Sequence, residues 1–186
     1  MATDKVYTIE TDIGWMAVCA DHRALLGLSL GHATAPQAVL SLAANGQFLG
    51  GEPPLADRPQ LSWQTDLIKR LIDFASGQRV EFGEVRLDLS YLTSFRRKVV
   101  KACRRIPFGE TVSYSQLAMR AGSPRAARAV GTTMARNRFP IVVPCHRVIG
   151  SDGTLRGFSS PRGIALKGRL LTMENTIGSL DGSLVP

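Results

Sequence analysis

The stretch SYSQLAMRAGSPRAARAVGTTMARN, residues 113–137, indicates the fold of the second half of this 186-residue chain. Apolar residues recur at helical spacing on both sides of Gly122, and Ser123 followed by Pro124 is typical of a helix start. We therefore predict two short helices joined by a tight turn at Gly122. Such a pair is the pattern of a helix-turn-helix, whose second helix enters a groove of DNA.

The charge around this helix pair is strongly positive. Residues 93–169 hold 16 Lys and Arg against only Glu110 and Asp152, a net charge of +14. Residues 1–92 hold 7 Lys and Arg against 11 Asp and Glu, a net of −4, and the last 17 residues carry a net of −2. Surfaces that serve solubility alone normally mix both signs, so this segregation indicates that the second half meets a polyanion. Nucleic acid is favoured over an anionic membrane because no strongly amphipathic basic helix is evident.

The stretch FPIVVPCHRVIG, residues 139–150, places a thiol beside an imidazole and a guanidinium. A lone cysteine is most often a small buried hydrophobe, and a free thiol with a pKa near ~8.5 is little ionised at neutral pH. The apolar run predicts a buried strand, and Pro144 predicts that this strand breaks into a helical turn. The turn would place Cys145 at a helix N-terminus, where the dipole favours the thiolate. His146 would then reach the sulfur directly or through a water.

The first half of the chain predicts a small mixed α and β unit. KVYTIE, WMAVCA and ALLGLSL predict an antiparallel meander, and GEVRLDLS alternates like one further strand. TAPQAVLSLAAN predicts a helix ended by Gly46, QLSWQTDLIKRLIDFASG predicts a helix ended by Gly77, and GGEPPLADRP between them predicts a loop. In the second half, TSFRRKVVKACRRIPFG predicts a helix capped by Thr93 or Ser94, and PRGIALKGRLLTMEN predicts a last helix.

Composition excludes several classes of protein. Three cysteines without paired spacing do not form a disulfide framework, which favours a reducing compartment. No run has the length of a membrane span, and the first residues lack the features of a signal peptide. Cys19, His22 and His32 could be metal ligands, but without a fourth Cys or His nearby the packing of Cys19 in the core is the favoured interpretation.

The motif PCHRVIG (144–150) resembles that of the O6-alkylguanine-DNA alkyltransferases, or methylated-DNA–protein-cysteine methyltransferases. RNRFPIVV before it, and IPFGETVSYSQLA and GSPRAARAVGTTMARN further upstream, extend the resemblance. The resemblance is strong over residues 93–174 and weak over residues 1–92.

This resemblance implies an α+β fold with two domains. Residues 1–90 would form a ribonuclease H-like antiparallel sheet with helices. Residues 91–175 would form a mostly helical, winged helix-turn-helix domain that binds DNA and carries the reaction, followed by a tail at 176–186.

The resemblance also implies the reaction. An alkyl group would pass irreversibly from O6-alkylguanine, and from O4-alkylthymine, in double-stranded DNA to Cys145 after base flipping. Each molecule would act once, without cofactor or metal, as a monomer that meets no membrane. Its location would be cytoplasmic, or nuclear in a eukaryote.

Five residues would carry the chemistry. Cys145 would accept the alkyl group, His146 would take its proton through water, and Glu174 would orient the histidine and stabilise its charge. Tyr114 would lie by the base and the neighbouring phosphate and assist the leaving guanine. Asn137 would be the hinge between the recognition helix and the active-site turn.

Further residues would hold DNA and the base. Arg128 would be the finger that fills the stack vacated by the flipped base, and Val148 and Ser159 would present backbone groups to the edge of guanine. Phe158 stands where the family commonly has Tyr, and the loop 159–163 is about two residues longer than in some members. The other DNA-binding residues implied are Tyr114, Ser115, Ser123, Arg125, Ala126, Ala129, Thr132, Arg136 and Arg147, and the other pocket residues are Lys167 and Pro140.

Two other functions fit parts of the pattern. A non-catalytic lesion sensor could use the same scaffold, but sensors of this kind replace the cysteine that is present here. A thiol hydrolase using Cys145 and His146 predicts turnover on acyl substrates and gives no role to the basic segment.

Overall fold

A computed structural model describes residues 4–44, 55–56, 58–59 and 61–174. The predicted helix end at Gly46, most of the loop GGEPPLADRP and the tail 176–186 lie outside the described residues. By their contacts, the residues divide into two compact units. The first unit is Met1–Asp88 with Arg138–Pro140, and the second is Leu89–Asn137 with Ile141–Pro186.

The first unit contains a three-stranded antiparallel sheet and two helices. Strands β1 (Lys5–Ile9), β2 (Trp15–Ala20) and β3 (Leu25–His32) lie in chain order across the sheet. Helix α1 (Ala35–Ala44) packs against all three strands, and helix α2 (Ser62–Ala75) follows it. The predicted meander and the two predicted helices are therefore confirmed.

The core of this unit lies between α1 and the sheet. Its central cluster is made of small and branched apolar side chains, and Cys19 is fully buried among them, which confirms its predicted packing role. Among the described residues, no group of three His, Cys, Asp or Glu side chains is arranged to hold a metal ion. No described helix is long and apolar enough to cross a membrane.

The strand predicted for GEVRLDLS is wrong. Only Leu87 of this stretch pairs, in an isolated parallel bridge with Leu25. The Leu25 amide donates to the Arg86 carbonyl, and the Leu25 carbonyl accepts from the Asp88 amide. The alternating pattern does reflect that one side of this stretch faces the core. However, the stretch pairs with β3 only through Leu87, at the first residue of that strand, and does not run along it.

The second unit is mostly helical. Helix α3 (Ser94–Cys103) begins after Thr93, whose hydroxyl accepts from the Arg96 amide as the capping prediction requires. Strand β4 (Val112–Ser113) pairs in parallel with β5 (Val148–Ile149), and helix α6 (Gly163–Met173) ends the described chain. Helix and strand content together confirm the mixed α+β class.

Helices α4 (Tyr114–Arg120) and α5 (Ala127–Ala135) are the predicted helix pair, but α5 begins later than expected. The Ser123 carbonyl accepts from the Ala126 amide, which closes a turn that has Pro124 as its second residue. Proline favours that turn position as strongly as the first residue of a helix. The assignment of Ser123 as a helix cap is therefore wrong, and Ala126 occupies that place.

The buried strand predicted before Pro144 is also wrong. Residues 141–143 are buried but form turns, and Ile141 has a φ of 71°, in the left-handed region. The Val143 carbonyl accepts hydrogen bonds from the Cys145 amide and from the Asn137 side chain. These two donors take the place of the amide that a neighbouring strand would provide. The break at Pro144 is present, and Cys145–Arg147 form one turn of 3-10 helix.

Candidate active site around Cys145

The turn after Pro144 holds the Cys145 thiol inside the second unit. Cys145 is 5% exposed. The Asn137 side-chain amide donates to the Cys145 Sγ at 3.1 Å and to the Val143 carbonyl at 2.9 Å. Asn137 lies just beyond the end of α5, so one side chain connects the end of that helix to the thiol and to the chain just before Pro144.

Burial dominates the protonation of this thiol. Burial raises the pKa of Cys145, and the hydrogen bond from Asn137 and the positive charge of Lys167 oppose this rise only in part. A single 3-10 turn of three residues also offers little of the dipole that a long helix provides. The turn predicted after Pro144 is present, but its dipole does not outweigh the effect of burial, so a reaction at Cys145 needs a base to remove its proton.

His146, the next residue along the chain, is the candidate for that base. Its ring is fully buried, and its Nε2 lies 2.9 Å from Glu174 Oε1. Burial lowers the pKa of His146, and this outweighs the opposite effect of Glu174. The imidazole is therefore neutral at pH 7. Because an ionised carboxylate only accepts hydrogen bonds, Nε2 carries the proton and Nδ1 keeps a lone pair.

Glu174 is the centre of a buried network at the end of α6. Its carboxylate accepts from His146, from Arg147 Nε and Nη2 at 2.9 Å each, and from the Gly109 amide at 3.1 Å. Burial alone would raise the pKa of Glu174, but the hydrogen bonds from His146 and Arg147 lower it to about 2. The two-pronged contact with Arg147 is what allows a carboxylate at a helix C-terminus.

Arg147 does not lie where the sequence assigned it. The assignment to the DNA surface is wrong, because the side chain is buried, pairs with Glu174 and donates from Nη1 to the Ile106 carbonyl at 2.6 Å. Its guanidinium also lies 5.6 Å from the centre of the Phe108 ring. A guanidinium with these contacts cannot reach a phosphate, and it serves to hold Glu174 in place.

Lys167 is a second buried cation in this unit. Its Nζ donates to the Val148 carbonyl at 2.6 Å and to the Arg156 carbonyl at 2.9 Å. Burial lowers the pKa of Lys167 to about 8, and the nitrogen lies 5.9 Å from the centre of the Tyr114 ring. One lone pair of the Val148 carbonyl is thus taken by Lys167, so the predicted contact of that carbonyl with guanine has to use the other.

A cleft of roughly 640 Å³ opens between the helix pair and the loop 150–157. Of the predicted residues, Tyr114, Ser115 and Arg128 line it. Burial raises the pKa of Tyr114, and the nearby Cys145 raises it further. Tyr114 therefore lies near the thiol and also faces the cleft, and its phenol keeps its proton at neutral pH.

The remaining predicted residues lie at varied places. Arg125, Ala129, Thr132 and Arg136 are exposed on and beside α5, and Ala126 is partly buried. Phe158 is partly buried, and the Ser159 hydroxyl donates to the Ala135 carbonyl at 2.5 Å. Pro140 is buried and belongs by its contacts to the first unit.

Sequence reasoning missed several residues around the site. The Gly109 amide holds Glu174, and the φ of 80° at Gly109 suits glycine. Gly131 and Arg156 line the cleft. Only the position of Arg156 in the polar loop GSDGTLRG could have drawn attention to it.

The second unit matches a family model described as the DNA-binding domain of 6-O-methylguanine DNA methyltransferase, over residues 94–176. A methylated-DNA–protein-cysteine methyltransferase of Mycobacterium bovis is 38% identical over 158 residues, which cover 80% of this chain and 93% of that protein. One of Methanothermobacter thermautotrophicus is 44% identical over 120 residues, 62% of this chain and 64%, less than two thirds, of that protein.

Solved structures agree over nearly the whole chain. The crystal structure of Mycobacterium tuberculosis O6-methylguanine methyltransferase has a TM-score of 0.73 and 32% identity, and the match covers 94% of each chain. A structure of Mycobacterium tuberculosis OGT in complex with DNA has a TM-score of 0.72 and 32% identity, covering 92% of this chain and 93% of that one.

Fold and site together define a mixed α+β protein whose basic helical unit holds a buried thiol next to a histidine–glutamate pair. With the identities above, the chain belongs to the methylated-DNA–protein-cysteine methyltransferases, as the resemblance predicted.

Proposed function

We propose that this protein repairs DNA by moving an alkyl group from O6-alkylguanine, and secondarily from O4-alkylthymine, to the sulfur of Cys145. The observation that carries the proposal is the contact of neutral His146 with Glu174. His146 directly follows Cys145 in the sequence, and the thiol of Cys145 is buried and protonated. The names of the relatives supply the substrate class, methylated DNA. A lesion in duplex DNA would have to be flipped out of the stack to reach a thiol this deeply buried.

The proposed reaction is a displacement at the alkyl carbon. The Cys145 proton passes through a water to Nδ1 of His146, and Glu174 stabilises the imidazolium that forms. The sulfur then attacks the alkyl carbon while the bond from carbon to the guanine oxygen breaks, and its electron pair stays on guanine. Tyr114, whose phenol is protonated at neutral pH, donates a hydrogen bond or a proton to the leaving base.

DNA would lie along the helix pair of the second unit. The net charge of +14 over residues 93–169 attracts the phosphate backbone without reading sequence, as a protein that acts at any site requires. Arg128 is exposed and lines the cleft, so its side chain can enter the duplex at the place that the flipped base leaves.

Replacing Arg128 with alanine should slow transfer from duplex DNA far more than transfer from free O6-benzylguanine. The side chain would offset the cost of unstacking, a few kcal/mol or about 10²-fold in rate, which a free base never incurs. The measurement is the rate of alkylation with each substrate. Arg125→Ala is the matched control, since an exposed cation that contacts a phosphate should weaken binding to all duplexes alike. Equal losses on both substrates with Arg128→Ala would show that Arg128 is not the finger.

Each protein molecule should remove one alkyl group and then stop. The product is a thioether, which water does not cleave without an activating group. The other thiols are no second acceptors, because Cys19 packs in the apolar core of the first unit and Cys103 packs on the buried face of α3.

The test incubates the protein with a large excess of duplex that carries one O6-methylguanine and follows the intact mass. We expect a gain of one methyl group, located on the peptide that contains FPIVVPCHR. Methyl groups removed well in excess of the protein would contradict single turnover and favour the hydrolase interpretation.

A further inference from the structure

The loop between β5 and α6 brings a guanidinium to the cleft. Among the residues that line the cleft, the charged ones are Arg128 on α5 and Arg156 on the loop. They belong to separate segments of the second unit, and none of the described residues that line the cleft with them is a carboxylate. The cleft therefore presents two cations to whatever enters it.

The side chain of Arg156 is held by a small polar cluster. Its Nη2 lies 3.1 Å from Asp152 Oδ2. The other oxygen of Asp152 accepts from the Thr154 amide at 3.1 Å and from its hydroxyl at 2.6 Å. These Thr154 hydrogen bonds lower the pKa of Asp152, so the carboxylate is ionised at neutral pH. Gly150 makes the arrangement possible, since a Cβ at that position would lie 2.2 Å from Asp152 Oδ1.

The backbone of Arg156 is anchored separately. Buried Lys167 donates to the Arg156 carbonyl and to the Val148 carbonyl, which fixes the loop to β5 and α6. Both ends of the residue are therefore constrained before any substrate arrives. The ion pair with Asp152 is largely solvent-exposed, so it contributes little to stability and is easily exchanged for another oxyanion.

Arg156 and Tyr114 line the same cleft. Lys167 connects them, because its Nζ lies 2.9 Å from the Arg156 carbonyl oxygen and 5.9 Å from the centre of the Tyr114 ring. The positive charge of Arg156 also opposes the rise that burial causes in the pKa of Tyr114. An oxyanion in the cleft beside Tyr114 could thus be reached by both side chains.

We propose that Arg156 binds a phosphate of the strand that carries the target nucleotide, beside Tyr114, and so holds the lesion strand in the cleft. The proposal rests on the proposed repair function. The guanidinium that donates from Nη2 to the Asp152 carboxylate suits a phosphate oxygen equally well, and DNA entering the cleft brings such oxygens with every nucleotide. Asp152 is then a positioning residue, because its carboxylate keeps the Arg156 guanidinium at the wall of the cleft until a phosphate takes the place of that carboxylate.

The test compares Arg156→Ala with Arg162→Ala. Arg162 is an exposed arginine just before α6 that does not line the cleft, so the two variants lose the same charge. The rate of alkylation is measured with a duplex containing O6-methylguanine and with free O6-benzylguanine, which has no phosphate. Binding to the duplex is measured over a series of salt concentrations.

For Arg156→Ala we expect a loss of about tenfold on the duplex, no change on the free base, and a salt slope smaller by about one. Arg156→Lys should restore the salt slope but only part of the rate, because a lysine lacks the planar fork. Arg162→Ala should lose much less on the duplex.

Two results would overturn this role. Equal rates for Arg156→Ala and Arg162→Ala on the duplex would show that only net charge matters. A faster reaction of Arg156→Ala with O6-benzylguanine would make Arg156 a barrier to bulky groups rather than a phosphate ligand. If Cys145 of the protein without substitutions gains no alkyl group from either substrate, the proposed repair function itself is wrong, and the role of Arg156 is wrong with it.

Discussion

Replacing Cys145 with serine should abolish alkyl transfer while DNA binding stays nearly intact. Serine keeps the approximate size of the side chain and can still accept from Asn137, so the turn after Pro144 should form. A serine hydroxyl, however, has no ionised form that His146 can generate at neutral pH, and it is a far weaker nucleophile than a thiolate. We expect the rate to fall by more than about 10³-fold, measured as methyl mass gained on incubation with an O6-methylguanine duplex.

The control for this variant is Cys103→Ala. Cys103 is also a buried thiol of the second unit, but it lies on the apolar face of α3. Its replacement should cost some stability and still leave one methyl group transferred per molecule. Transfer that persists in Cys145→Ser, or disappears in Cys103→Ala while that variant remains folded, would move the acceptor away from Cys145.

The elements of the fold were predictable where their signals are local. Thr93 caps α3 as its side chain predicts, and the apolar spacing of α2 locates that helix within a residue or two. The prediction that Ser123 caps α5 was wrong because a Ser-Pro pair can start a turn as well as a helix. The apolar run before Pro144 failed for a related reason, since a buried turn and a buried strand require the same side chains and differ only in their hydrogen bonds.

The site was predictable in its members and less so in their connections. The resemblance brought His146 and Glu174 together, and the structure places them in contact, although 28 positions separate them. The resemblance assigned Arg147 to DNA, whereas the structure buries its side chain. Its pairing with Glu174 depends on how α6 returns to the turn, and no periodicity or motif in the sequence carries that information. Arg156 escaped notice for the same reason.

Glu174 is the residue whose replacement should cost both stability and activity. Replacing it with glutamine removes the charge that balances Arg147, which stays buried against the Ile106 carbonyl. Removing one partner of a buried ion pair typically costs about 3–5 kcal/mol, because the remaining charge is left uncompensated. We expect the free energy of unfolding at pH 7 to fall by roughly that amount. Glu110→Gln, an exposed carboxylate of the same unit, should change it by less than about 0.5 kcal/mol.

The pH dependence of that loss tests the network directly. The pKa of Glu174 is about 2 in the folded protein, against an ordinary value of 4.5, so its contribution is complete above pH 4.5. The contribution disappears as the pH falls toward 2, because the unfolded chain binds the proton first. The difference in unfolding free energy between the unmodified protein and Glu174→Gln should therefore be constant near neutrality and shrink between pH 5 and pH 2. A difference independent of pH would mean that the loss comes from packing alone.

The same variant should slow alkylation and move its pH profile upward. Glutamine can present its oxygen or its NH2 group to Nε2, so the His146 tautomer is no longer fixed by an acceptor-only group, and a buried imidazolium loses the charge that stabilises it. The relay then removes the Cys145 proton less readily, and more of the reaction depends on thiolate formed by hydroxide. The rate with free O6-benzylguanine, measured from pH 6 to pH 9 at a temperature where the variant is fully folded, separates this effect from instability. A profile of unchanged shape, lowered equally at every pH, would leave Glu174 a structural residue and remove it from the relay.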